Sequence, residues 1–548
     1  MYPNLAEQIK KSNSSHMLIL PNILYAETHY SFRGIYSSLK KNEPEIVLDT
    51  PYRLNPSTKL PLLLLVKDSD LYPVVIKKIE VKIEQHDVIF FQKIIQLDKM
   101  YSGSKYISDV YYLDLPKDLY GHVKVNASIE VAIDDKSKIY HNDNYRISSH
   151  EPFQVYISKH ELPATDKWVF GDLHYHSSYT EDYVEFGAPL LPTAELSRAM
   201  GLSFIAATDH SYDLDDYDDD YLKNDPELKK WHRFKQEVDN INENLDDFII
   251  LPGEEVSVGN SKNRNVHLLL LRNQEFAPGK GDSAEAWFRN KPDNSIEAVM
   301  NNLTDQVIAI AAHPEIPAPI LEWLLIRRGK WENKDYSHKR LNGLQIWNGL
   351  HDLNFYKGLK KWTELLLMGR KLFIYAGNDA HGNFNRFRQI GFPFWSMRES
   401  PDQIVGKVRT GLRIDEALDL DTICDSILHG RCVITNGPFV DYIVINNKQQ
   451  KAIMGDSLSG QSFKLHIMAK SSIEFGSLSS LAIFMGNIND KKEYKYREIC
   501  DFQDEFNYSI NINIENVPER AYIRLELKSE SEENNYFCYT NPVWLTKT

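Results

Sequence analysis

The sequence predicts an α/β chain in three parts, a barrel-type domain flanked by N-terminal and C-terminal β-sandwich domains. Three observations carry this. Short β-type runs punctuated by Asn, Asp, Gly and Pro fill residues 44 to 158. Seven short apolar runs then alternate with longer helical or loop-like stretches between 168 and 380, the pattern of a parallel sheet. After about residue 440 the β character returns. A chain of 548 residues has room for two to four domains. The expected division is 1–160, 165–440 and 441–548.

Residues 1 to 40 read as a helix and a loose lead-in. The first sandwich comprises EIVLDTPYRL, LPLLLLVKD, VVIKKIEVKIE, DVIFFQKIIQL, DVYYLDL, HVKVNASIEVAI and EPFQVYIS. SKHELPATDK, 158 to 167, reads as a linker. The seven central runs are WVFGDLHYH, LSFIAATDH, FIILPGEEV, NVHLLLL, VIAIAAHPE, LNGLQIWN and LFIYAGNDAH. AELSRAMG and ELKKWHRFKQEVDNI between them have helical periodicity. DYIVIN, SFKLHIMAK, SLAIFMG, YSININIENV, AYIRLELKS and NPVWLTK make the second sandwich, and no repeat of 20 to 50 residues is evident.

Net charge of −14 argues against a protein that grips long nucleic acid, which needs a basic face. It leaves room for a small phosphorylated substrate, because bound metals bring their own positive charge. The four cysteines, Cys424, Cys432, Cys500 and Cys538, contain no CxxC pair and read as reduced thiols. The N-terminus lacks an apolar stretch with a cleavage site, and the most apolar runs fall short of the ~20 residues of a spanning helix. A cytoplasmic protein without membrane association is expected.

Six of the seven runs end in groups able to bind metal. Alternation on a strand puts His174 and His176 of GDLHYH on one face. ATDH supplies Asp209 and His210, PGEEVS Glu254 and Glu255, NVHLLLL His267, AAHPE His313, and GNDAHG Asp379 and His381. Each has a plainer reading: His267 as a hydrogen-bonded core histidine, His313 as part of a turn, DxH as a chance pair in a loop. All of those would have to hold together. If the strand ends converge, the space between them holds the nitrogen and oxygen mixture that suits zinc, iron or manganese.

DLHYHS, ATDH, PGEEVS, AAHPE and GNDAH, in this order, resemble the motifs of the PHP (polymerase and histidinol phosphatase) metal-dependent phosphoesterases over about residues 165 to 440. RCVITNGPFV and YTNPVWL are similar to its carbaryl-hydrolase-like (CehA/McbA) branch, which also sets β-domains around the catalytic one. The resemblance implies a distorted, TIM-like (β/α)7 barrel and two or three divalent ions. It implies that His174, His176 and Asp379 hold one ion, with Glu255 bridging to a second that His267 and His313 complete. The G-x-E spacing selects Glu255 over Glu254. His210 and His381 would belong to a third ion together with a residue after the first motif. There the chain reads HSSYTED, in which Glu181 aligns and Asp182 follows one step later.

Such a site implies a hydrolase that uses a metal-bridging hydroxide, a phosphoesterase acting on a small molecule. The alternative is hydrolysis of a carboxylic ester, carbamate or amide by the same centre; a third reading is a binding protein with a structural metal. His210 or His381, if not fully occupied as a ligand, is the expected proton donor to the leaving group, and Asp172 and Asp209 are expected to orient the histidines. Arg386, in GNFNRFRQIG, is a candidate anion-binding fork beside Arg388, and DLDDYDDDYLKNDPE (213–227) reads as a solvated loop. The sandwiches are expected to pack on the barrel or support a homo-oligomer.

Overall fold

A computed structural model describes residues 43–548 apart from 57, 134–135, 145–149, 181–186, 219, 283–289, 319, 387–388, 393–394 and 399–401. The helical lead-in expected over residues 1 to 40 lies outside them. In the N-terminal part, Glu45–Asp49, Leu60–Lys67 and Tyr106–Leu113 form a three-stranded antiparallel sheet. Val74–Gln85, Val88–Tyr101, Gly121–Ile133, Lys136–His141, Phe153–Ile157 and Arg53–Leu54 form a six-stranded one. Inward residues of the two share one apolar core, including Ile46, Leu62, Leu64, Ile79, Val81 and Val125, as strand alternation dictates.

All seven central strands form where the apolar runs are. They are β1 (Trp168–Tyr175), β2 (Phe204–Ala207), β3 (Ile249–Gly259), β4 (Asn265–Leu271), β5 (Ile308–Ala311), β6 (Leu341–Asn348) and β7 (Phe373–Gly377). Helices α1 (Leu190–Ala199), α2 (Lys229–Asn244), α3 (Ile296–Asn301) and α4 (Leu353–Leu367) lie between them. In α4, Asp352 caps the first turn by accepting from the amides of Asn354 and Phe355. The helix then buries Phe355, Leu359, Trp362 and Leu366, an i, i+4, i+7, i+11 stripe.

The expected α/β, TIM-like (β/α)7 barrel is nevertheless overturned. The chain is mostly β, with 46% strand against 15% helix. Pairing is mixed: β1–β2–β3 and β5–β6–β7 are parallel, but β3–β4 and β4–β5 are antiparallel. The cause is local. Only residues 260–264 separate β3 from β4, far fewer than the dozen or so a parallel crossover needs. The sheet also continues past β1, through antiparallel β8 (Arg409–Arg413) and β9 (Cys432–Thr435), into Asn535–Thr540, Arg520–Glu530 and Ser477–Asn487.

The expected division at 440/441 therefore cuts a continuous sheet. The four-stranded sheet beside it, built on Phe439–Asn446, Phe463–Lys470 and Asn507–Ile514, packs into a core that also contains Trp168, Phe170 and Leu196. The acidic run after His210 is solvated only in part: Asp213, Asp215, Asp216 and Asp225 are buried, while Asp218 and Glu227 are exposed. All four cysteines are free thiols, three of them buried. Among the described residues no helix is long and apolar enough to cross a membrane.

Candidate metal centre

The ends of β1, β2, β3 and β7 meet in one place. The loop after β7 pairs back onto β1: the Asp379 amide donates to the His174 carbonyl, and the His176 amide to the Ala380 carbonyl, each at 2.9 Å. The Glu255 amide donates to the Asp209 carbonyl at 3.0 Å and so joins β3 to the turn after β2. His267 enters from β4, opposite Ser257, and His313 two residues past β5.

Three overlapping groups of potential ligand atoms result, each within 4.8 Å of one another: His174, His176, Glu255 and Asp379; Glu255, His267 and His313; and His176, His210 and His381. All eight residues were candidates from sequence. Glu181, the ninth, lies outside the described residues, as does Asp182. Glu254 follows the strand's alternation onto the opposite face, where it accepts from the Trp231 indole (3.1 Å) and the Ala277 amide (3.2 Å), and burial pushes its carboxyl up to about 8.

Five imidazoles converge on the single carboxylate of Glu255: His267 at 2.6 Å, His210 at 3.1 Å, His174 and His313 at 3.3 Å, and His176 at 3.4 Å. One carboxylate cannot neutralise or bond so many rings. The Nε2 atoms of His174 and His176 also approach to 3.1 Å. Buried nitrogens directed at each other and at shared carboxylates are the donor set of divalent cations rather than of a hydrogen-bonded core. The residues fit a metal site.

Protonation follows the same logic. Burial opposes charge on His174, but Asp379 and Glu255 outweigh it and hold the ring up at about 9. His176, equally buried and facing His381 and His210, is driven well below the usual range. Despite burial, Glu255 and Asp379 are held well below theirs, by His267 and His174 in the first case and by His174 and His176 in the second.

A surrounding layer fixes which nitrogen faces inward. His174 donates from Nδ1 to Gln345 Oε1 (2.8 Å), and His381 donates from Nδ1 to the Asp379 carbonyl (3.1 Å); both leave Nε2 inward. His267 is reversed: Nε2 donates to Asp282 Oδ2 (2.9 Å), and Nδ1 points at Glu255. Asp282 is held in turn by Arg328 (2.9 Å) and by the Ser257 hydroxyl. Asn348 donates to Asp379 Oδ2 at 3.3 Å. Gln345 and Asn348 belong to LNGLQIWN, the one central run without a candidate ligand. Asp282 and Arg328 come from irregular segments with no periodicity to expose them.

Asp172 and Asp209, expected to orient the histidines, bond backbone amides beside them and not their rings. Asp172 accepts from the amides of His174, Asn378 and Gly406. Asp209 accepts from the amides of Ser177 and Thr180. Arg386 stands beside the N-terminal sandwich, its Nε 3.6 Å from Asp49 Oδ2. Arg388 lies outside the described residues. Two of the candidate ligands have left-handed backbones, His313 at φ 29° and Asp379 at φ 53°. Such conformations cost about 1–3 kcal/mol each and persist where the surroundings demand them.

No protein-family model matches the chain, and no curated protein does. Among solved structures it aligns over 92% of its length with a beta-glucuronidase of Bacteroides uniformis, at 8% identity and TM-score 0.16, spanning 61% of that chain. A Parabacteroides merdae beta-glucuronidase gives 9% identity and TM-score 0.20, with 92% of this chain and 64% of that one covered. Trypsin-activated alpha-2-macroglobulin from Escherichia coli gives 7% and 0.15, with 92% and 24% covered. The chain thus spans about three fifths of the length of the two glucuronidases. At these scores the likeness carries no argument about fold or chemistry.

Proposed function

We propose that the protein is a metal-dependent hydrolase acting on a small phosphorylated substrate. The observation that carries the proposal is the sharing of residues between adjoining ligand groups: His176 belongs to two of the three, and so does Glu255. Ions held by these groups would be neighbours. Neighbouring zinc, manganese or iron ions supply, when bound, a deprotonated water near neutral pH and a positive clamp for anionic oxygens.

The chain's residues prepare that chemistry. His174, His176, Glu255 and Asp379 would hold one ion, Glu255 with His267 and His313 a second, and His176, His210 and His381 a third. Gln345 and Asp282 keep the His174 and His267 rings turned so that lone pairs face inward. Burial of the carboxylates and rings keeps bulk water from screening them. Whichever of His210 and His381 is not taken up as a ligand of the third ion would be the candidate to pass a proton to the leaving oxygen. The order of motifs shared with the PHP hydrolases supports the same reading.

A second reading, hydrolysis of a carboxylic ester, carbamate or amide, is favoured by one observation. Arg386 and Arg328 both face carboxylates of the chain, Asp49 and Asp282, instead of standing ready for a phosphate. A neutral substrate needs no such arginine.

The experiment is a hydrolysis panel on protein stripped of metal and reloaded with zinc, manganese or iron, with Asp379→Ala in parallel. Turnover of phosphomonoesters or phosphodiesters that needs the metal and falls at least a hundredfold in the variant is expected. Turnover confined to carbonyl esters or carbamates would favour the second reading. Metal-loaded protein inactive on every class would overturn both.

A further inference from the structure

The N-terminal sandwich reaches into the neighbourhood of the metal centre through one carboxylate. Asp49 is the last residue of the strand Glu45–Asp49 and is only 1% exposed. Its Oδ2 accepts from the Phe384 amide at 2.8 Å and its Oδ1 from the Asn385 amide at 3.0 Å. Oδ1 also takes the amide of Thr50 at 2.8 Å, and Arg386 Nε stands 3.6 Å from Oδ2. A buried carboxylate with amides on both oxygens is a rigid anchor, and removing it would orphan the donors it satisfies.

The anchored segment is the one that carries His381. Asn383 Oδ1 accepts from the His381 amide at 3.1 Å, and the Asn383 carbonyl accepts from the Val405 amide at 3.1 Å. One residue further on begins the Phe384–Arg386 stretch that Asp49 holds, and the Asn385 side chain donates to the Gln154 carbonyl of the same sandwich at 2.8 Å. Between ligand and anchor lies Gly382, at φ 74°, where a Cβ would meet the Ala188 amide nitrogen at 2.0 Å. The turn is packed closely against residues 187–188, which couples a shift at 384–386 to His381.

We infer that Asp49 is a positioning residue for the His176–His210–His381 ligand group, and that the N-terminal sandwich is in this sense part of the metal centre. The inference rests on the reading of those three histidines as one ion's ligands. Asp49 touches no substrate and no metal ligand; it acts on His381 through Asn383 to Arg386.

The test is a zinc titration of metal-free full-length protein that resolves the ions by affinity, on wild type, Asp49→Ala, Asn385→Ala and His381→Ala. His381→Ala identifies which step belongs to the third group. Asp49→Ala is expected to weaken that step at least tenfold and leave the other steps within twofold, which also shows that the variant is folded. Asn385→Ala, which keeps the backbone anchor and loses only the bond to Gln154, is expected to weaken the same step by a smaller factor. It carries the test if Asp49→Ala does not fold. An unchanged third step in a folded variant, or equal weakening of every step, overturns the role of Asp49. If His381→Ala changes no step in otherwise wild-type protein, the reading of the three histidines as ligands fails instead.

Discussion

Glu254 and Glu255 differ by one position and have opposite fates, and strand alternation was enough to separate them. Glu255 collects five imidazoles, and Glu254 bonds a tryptophan behind the sheet. The inward-facing candidate ligands were legible because metal-binding residue types recur in and after the apolar runs. The groups that aim them were not. Gln345, Asp282 and Arg328 are ordinary residue types whose role exists only through contacts 15 to 171 positions away in sequence. Because Asp282 fixes the inward nitrogen of His267, Asp282→Asn should weaken metal binding by about 10- to 100-fold with little change in fold, measured by competition with a chelating dye. Unchanged affinity would remove Asp282 from the account. The pH dependence follows from His174, held up at about 9 by Asp379 and Glu255. At pH 7 that ring carries a proton in metal-free protein, and a metal must displace it. Calorimetry in buffers of different ionisation heat should therefore register net proton release on binding at pH 7, declining as the pH passes 9. Affinity should fall by about tenfold for each unit of acidification per proton displaced. Binding at pH 7 without proton release would contradict this.

All seven central strands were legible as elements, but their pairing was not fully so. The alternation of apolar runs and longer stretches suggested parallel neighbours throughout. VGNSKNRNV is too short for a crossover, and it makes a hairpin that turns β4 antiparallel and carries His267 across from Ser257. The loop after β7 was legible as a ligand pair, DAH, and opaque as geometry. Its Asp379 takes a left-handed backbone, and Gly382 supplies a second positive φ with no room for a side chain. Gly382→Ala should lower stability by at least about 1–2 kcal/mol from the backbone alone, with the added clash against Ala188 raising the loss. Thermal unfolding would read the stability change, and zinc titration would read the expected displacement of His381. A variant with wild-type melting and wild-type zinc binding would show that the turn has slack after all.

At the scale of the molecule, the sequence pointed to three domains and the chain builds fewer separations. A run of β9, Asn535–Thr540 and Arg520–Glu530 joins the site sheet to the C-terminal strands, and Asp49 ties the N-terminal sandwich to the loop after His381. Hydrophobic periodicity reveals strands but not which sheet they join, since any edge accepts a strand of the right pattern. What unifies these parts is the buried convergence around Glu255, whose carboxylate would serve two adjoining ions. The most direct measurement is the number of zinc ions bound per chain by elemental analysis after reloading, on wild type and Glu255→Ala. Wild type is expected to hold at least two, and Glu255→Ala to lose more than one while remaining folded by circular dichroism. Fewer than two ions in wild type, or the loss of one or none in the variant, would contradict a shared multinuclear centre.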